Sequence, residues 1–265
     1  MSDLPIIPRR TGFSLVELLV VVAILVVLLS ILLPSLGKAR EAARSVRCAT
    51  NIGAQLVALH MYSNENDEFY PGTHVTLHGA AAVWFTRIRQ YVGSKYEVFN
   101  CTKVTAEYHW KRKSRGNTLT DLLEYGYEHN EDSYHLRTPF SYGMNDWGIR
   151  EFTDPHLGMG NHVNNRHDPR YGEIDSGIIV SPSNFIAIGD TVADRVWDFA
   201  LDPNDPPSYK SERPSKRHND GSNVGFDDGH VQWFTQLQLI MPTTEMYRKW
   251  NNDNNPHTNI HWYGP

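Results

Sequence analysis

The chain has 265 residues, 40% of them hydrophobic and 21% charged, an ordinary globular composition with room for one large or two small domains. Its net charge of −5 gives no electrostatic ground for binding nucleic acid, so no nucleic-acid partner is expected. The apolar residues are unevenly spread: from Phe13 to Leu33 only Ser14, Glu17 and Ser30 are polar, and the remainder is rich in Asn, Asp, His, Tyr and Trp.

Residues 1–12 form a short polar leader ending in Arg9-Arg10-Thr11-Gly12, and residues 13–34 follow as an apolar helix. At about 1.5 Å per residue its 21-residue run from Phe13 spans about 31 Å, enough for a bilayer core. A secretory signal would place Arg9 and Arg10 before an apolar core and cut near Ser35 and Gly37. That run is longer than the usual signal core. Neither a signal nor a plain single-pass anchor accounts for Glu17, because an acid in hydrocarbon costs about 2.5–3.5 kcal/mol. A cut between Gly12 and Phe13 does account for it. The new amine then lies one helical turn from Glu17, and the carboxylate can neutralise the amine of a neighbouring helix and set the register between the two.

The string Gly12-Phe13-Ser14-Leu15-Val16-Glu17 resembles the prepilin peptidase site of type IV pilins and type II secretion pseudopilins. The resemblance implies cleavage after Gly12, N-methylation of Phe13 and assembly with other pilin or pseudopilin subunits through Phe13 and Glu17. It also implies a single-pass inner-membrane protein with its head in the periplasm or at the cell surface. Pro34 falls where that family often loosens the helix. Lys38, Arg40, Arg44 and Arg47 come directly after the span, placed to meet lipid headgroups.

Residues 35–63 continue as an amphipathic helix. Ala42, Val46, Ala49, Ile52, Leu56 and Leu59 or His60 recur at three- and four-residue steps, a stripe that should pack under a sheet. The whole helix would run about 50 residues, near 75 Å, with Pro34, Gly37 and Gly53 as soft points, giving a ladle shape. The fold class expected is α+β, a long helix on a small antiparallel sheet, with residues 64–265 as the globular head. Within the head, residues 81–91 read as a short helix, residues 98–101 as a brief strand or turn, and residues 178–180 and 185–188 as strands. Residues 139–145 read as a strand and turn. About 103–175 reads as an irregular insertion decorating the surface, and 202–216 as a loop. Val224–Phe226 and Val231–Phe234 flank Asp227-Asp228-Gly229, which is hairpin chemistry.

His218 precedes Asp228-Gly229 with nine residues between. This element resembles one found with prepilin-type N-termini in planctomycete-like bacteria, and Ser141-Tyr142-Gly143-Met144-Asn145 and Gly189-Asp190 match further stretches of that group. Cys48 and Cys101 could close a loop of about 50 residues, worth roughly 3–4 kcal/mol, or stand as two buried thiols. Asp190, Asp220, Asp227 and Asp228 supply hard oxygens suited to calcium, the one cofactor the composition suggests. Against that, Asp228-Gly229 can simply make the turn and His218 simply donate a hydrogen bond. The histidines His74, His78, His156, His162 and His167 match no catalytic or zinc spacing, and no enzyme motif occurs. Tyr108, Trp110, Tyr134 and Trp147 could serve either as core or as a binding surface. A filament subunit is therefore the expected function, with a non-polymerising membrane-anchored protein displaying an adhesive or ligand-binding head as the alternative.

Overall fold

The computed structural model describes residues 14–77, 80–110, 140–147, 156–160, 170, 172–194, 197–206 and 212–264. Helix α1 (Leu15–Glu65) runs through Pro34, Gly37 and Gly53 without a break in its helical assignment. The loosening expected at Pro34 does not interrupt it. Ser30 and Ser35 turn their hydroxyls back on the carbonyls of Val27 and Leu32. The chain divides into two units, Met1–Ala42 and Ala43–Pro265. In the first unit the described part is helix, and every large apolar side chain from Leu15 to Leu36 is at least 45% exposed.

The second unit is α+β. Among the described residues its main sheet has five strands: β4 (Tyr142–Asn145), β6 (Ile186–Asp190), β7 (Ala200–Leu201), β8 (Gly221–Phe226) and β9 (Val231–Thr235). Their order is β7-β4-β6-β8-β9. The pairs β4–β6, β6–β8 and β8–β9 are antiparallel, but β4–β7 is parallel, so the sheet is mixed rather than purely antiparallel. Short strands β1 (Phe69–Tyr70) and β5 (Ile174–Asp175) form one ribbon, and β2 (His74–Leu77) and β3 (Ala80–Val83) another. Among the described residues there are also helices α2 (Trp84–Ile88), α3 (Gln236–Ile240) and α4 (Thr244–Trp250), with several short 3-10 turns. A reciprocal cap between Thr235 and Gln238 starts α3, satisfying amides that the first turn cannot pair internally.

Within this unit α1 lies on β8, but the expected stripe holds only from Ile52 to Leu59: Ala42 and Val46 are exposed and Ala49 is half-buried, because the buried face there runs through Cys48. Cys48, Ile52, Leu56 and Leu59 are fully buried. A Cβ on Gly225 would come within 2.6 Å of both Ile52 and Leu56, so only glycine lets the helix approach the strand this closely. Ser45 meets Asn223 (3.4 Å) and His60 meets the Asp227 carbonyl (2.5 Å), so contacts advance along both elements together.

The local expectations divide. The hairpin, the strand in 139–145 and the strand at 185–188 form as read, the last extended through Asp190. Residues 81–83 are strand and the helix starts only at Trp84, while 96–99 make a 3-10 turn ahead of Cys101. Residues 176–178 are likewise a 3-10 turn, not a strand. Surface decoration is the wrong description for the described part of 103–175. Trp110, Phe140, Tyr142, Met144, Trp147, Leu157, Met159 and Ile174 are all buried, and β4 lies inside the sheet. Short apolar stretches between Gly, Pro and Asn carry no periodicity, and their burial comes from long-range packing: Trp110 and Phe140 meet Phe85, Trp110 also meets Phe99, and Trp147 meets Trp262.

Candidate functional site: an N-terminal helix and a buried thiol cluster

Two places carry chemistry. The first is the start of α1. Gly12, Phe13 and the leader lie outside the described residues; Ser14 and Glu17 lie within them. The Ser14 amide donates to Glu17 Oε2 (2.8 Å), and the Glu17 amide donates to Ser14 Oγ (3.2 Å). This reciprocal pair caps the first turn, a local role that the reading of Glu17 as an assembly residue did not foresee, although Ser-x-x-Glu is its sequence signature. Beyond it α1 is long and apolar enough to cross a membrane, with none of the window buried by the rest of the protein.

The second place is inside the second unit. On one face of α1, Cys48, Asn51 and Gln55 follow three- and four-residue steps. Gln55 Nε2 donates to the Val98 carbonyl (2.7 Å), and Asn51 Nδ2 donates to Tyr142 Oη (3.1 Å) and to the Asn100 carbonyl (3.4 Å). Asn100 in turn donates to the carbonyls of Tyr96 and Trp110, which fixes the segment that ends in Cys101. These bonds bring Cys48 Sγ and Cys101 Sγ to 2.8 Å, both buried and both unbridged.

From the sheet side come His218 and Asp190. Asn219 and Asp220 have positive φ (52° and 59°), and His218 and Gly221 exchange backbone hydrogen bonds of 3.1 Å, a two-residue turn that sets the imidazole just before β8. His218 Nε2 lies 3.4 Å from Cys101 Sγ and 3.9 Å from Asp190 Oδ2. Asp190, the last residue of β6, is fully buried. Its Oδ2 accepts from the Asn223 amide (2.8 Å) and Nδ2 (3.2 Å), and its Oδ1 faces Arg217 Nη2 at 3.4 Å. The ligand atoms of Cys48, Cys101, Asp190 and His218 all lie within 4.8 Å of one another, and this is the one such group among the described residues.

The electrostatics follow from these contacts. The hydrogen bond from Cys48 holds the Cys101 thiol well below its ordinary range against the effect of burial, with His218 and Arg217 adding to it. The same hydrogen bond, then burial, push Cys48 up. Burial raises Asp190, with Arg217 opposing. Burial pulls His218 down, but Cys101 and Asp190 outweigh it and its net shift is upward.

The remaining candidates scatter. Asp228 and Gly229 make the β8–β9 turn: Gly229 has φ +96° and its amide donates to the Phe226 carbonyl, while Asp228 Oδ1 accepts from His230 Nδ1 (2.6 Å). His218 and Asp228-Gly229 thus stand at opposite ends of one strand, and the nine-residue spacing measures β8 rather than a joint site. By the same count Asp227 lies about 13 Å along the strand from Asn223, beside which Asp190 sits. Asp190 and Asp220 therefore do not gather with Asp227 and Asp228 into the calcium set the composition suggested. His74 packs against Trp197 and Phe199 on a strand. Trp110 and Trp147 are core, while His78, Tyr134, His162 and His167 lie outside the described residues.

Comparison with known proteins adds one match: the family model described as the prokaryotic N-terminal methylation motif covers residues 7–33. The motif indicates a type IV pilin-like or pseudopilin-like N-terminus of the kind processed by prepilin peptidase, and with the apolar helix it fits an inner-membrane anchored protein. Neither the curated proteins nor the solved structures give a match.

Proposed function

We propose that the chain is a structural subunit of a type IV pilus-like filament or a type II secretion pseudopilus, assembled with other subunits through its N-terminal helix and carrying its head on the periplasmic or outer side. One observation carries this: an apolar helix exposed all round holds a single acid, Glu17, inside a methylation motif that spans residues 7–33. The cap that Glu17 makes with Ser14 does not itself call for a charge, since a glutamine can close the same box, and a carboxylate in hydrocarbon costs about 2.5–3.5 kcal/mol. Cleavage after Gly12 puts the new amine on Phe13, next to the Ser14 amide from which Glu17 already accepts. The carboxylate can then exchange its own first turn for the amine of a neighbouring subunit, which couples register to charge neutralisation. The function so described is not enzymatic.

The test is made in the native host. N-terminal sequencing and mass should give N-methylated Phe13, and Glu17→Ala should remove the protein from the sheared filament or pseudopilus fraction while leaving its membrane level unchanged. Unchanged filament yield in that variant overturns the assembly role. A wild-type chain that is processed and displayed but never recovered in filaments points instead to a membrane-anchored adhesive or ligand-binding head.

A further inference from the structure

We propose that Cys48, Cys101, His218 and Asp190 form a closed zinc site that joins the second half of α1 to the main sheet. Two sulfurs, an imidazole nitrogen and a carboxylate oxygen are a donor set for zinc. Calcium and magnesium prefer oxygen alone, and iron–sulfur clusters call for more thiolates. All four side chains are fully buried and come from four separate places in the chain: the second half of α1, the segment just after a 3-10 turn, the end of β6 and the turn before β8. Zinc bonds of about 2.0–2.3 Å set tetrahedral ligands roughly 3.3–3.8 Å apart. The Cys101–His218 separation of 3.4 Å already fits, the His218–Asp190 separation of 3.9 Å nearly so, and the sulfurs at 2.8 Å have only to part by about 1 Å.

The surroundings suit the ion. Both hydrogen bonds from Asn223 fix Asp190 Oδ2, the outer support that metal-binding carboxylates use. Two thiolates and a carboxylate balance the doubly charged ion together with Arg217, which is nearly buried against Asp190 and also donates to the Thr191 and Ser141 carbonyls. Binding releases the Cys48 thiol proton, together with any proton that the His218 imidazole carries at its ligating nitrogen, to solvent, Cys101 already lying on the thiolate side, and it involves no redox step. Four protein ligands leave no open position, so the role is structural: the ion holds together a head built from short strands and long loops. A disulfide would use only the sulfurs and give no reason for a buried imidazole and carboxylate to converge on them.

The experiment uses the full chain, extracted from membranes in detergent and washed free of loose metal, with zinc and thiols measured on the same sample. One zinc per chain is expected, with both cysteines titrating as thiols after denaturation with a chelator. Cobalt(II) loaded in its place should show the absorption of a tetrahedral thiolate site. His218→Ala should lose stoichiometric zinc. Asn223→Ala, which keeps all four donors and one of the two supporting hydrogen bonds, should bind zinc about tenfold more weakly with its fold intact by circular dichroism. A metal-free sample whose cysteines are bridged overturns the proposal in favour of a disulfide. A sample with free thiols that takes up neither added zinc nor added cobalt overturns it outright.

Discussion

The two halves of α1 are one helix by hydrogen bonding and two different molecules by chemistry. Up to Leu36 the apolar residues point in every direction, and the helix's own unit buries none of them. From Cys48 onward the buried ones fall on one stripe, with Cys48, Ile52, Leu56 and Leu59 fully buried, while Val57 and Met61 face outward. In the first half apolarity is a statement about the surrounding medium, lipid or neighbouring helices. In the second it is a statement about a partner surface of fixed shape, with Gly225 recessed to admit it. The same residue types therefore have different sensitivities: the first half tolerates changes of size and reacts to charge, whereas the second tolerates neither.

The largest expected contrast comes from one substitution made in both halves. Leu56→Ala should destabilise the head by about 2–5 kcal/mol in denaturant unfolding. Leu28→Ala should leave that midpoint unchanged, and a shift at both sites would break the distinction. Gly225→Ala sharpens it from the strand side. Its added methyl meets Ile52 and Leu56 at 2.6 Å, so a loss of about 1–3 kcal/mol is expected. The smallest effect per step, one pH unit at a time, is a pH dependence confined to the head. Burial pushes the Asp146 carboxyl up to about 8, with the Thr73 hydroxyl bond opposing and Asp202 adding to it. The folded state then holds this proton where the unfolded state has released it. Stability should be highest at acid pH and fall as pH rises toward 8, by at most about 1.4 kcal/mol per unit. Asp146→Asn should flatten that slope, and a slope unchanged in this variant would remove Asp146 as its source.

The membrane span, the amphipathic stripe and the β8–β9 hairpin were legible because each is written in a contiguous run: uninterrupted apolarity, a three-and-four-residue period, and Asp-Asp-Gly between two apolar strands. The stretch around Trp110, Phe140 and Trp147 was not, because scattered aromatics between Gly and Asn look the same in a loop as in a core. The buried cluster was half legible. Cys48 and Cys101 stand out as a pair that could bridge, but the sequence groups Asp190 with Asp220, Asp227 and Asp228, and His218 with Asp228-Gly229, rather than with the two sulfurs.

The sequence by itself determined the N-terminal processing motif, the membrane helix and the class of the head, because all three depend on local composition and period. The meeting of two sulfurs, an imidazole and a carboxylate was decided by the tertiary structure alone. It depends on how α1 seats on β8, on the hydrogen bonds of Asn51 and Gln55 to the segment before Cys101, and on a two-residue turn at Asn219-Asp220. Contacts between residues 48 and 218 are set by the packing of whole elements, and no local pattern encodes how those elements pack.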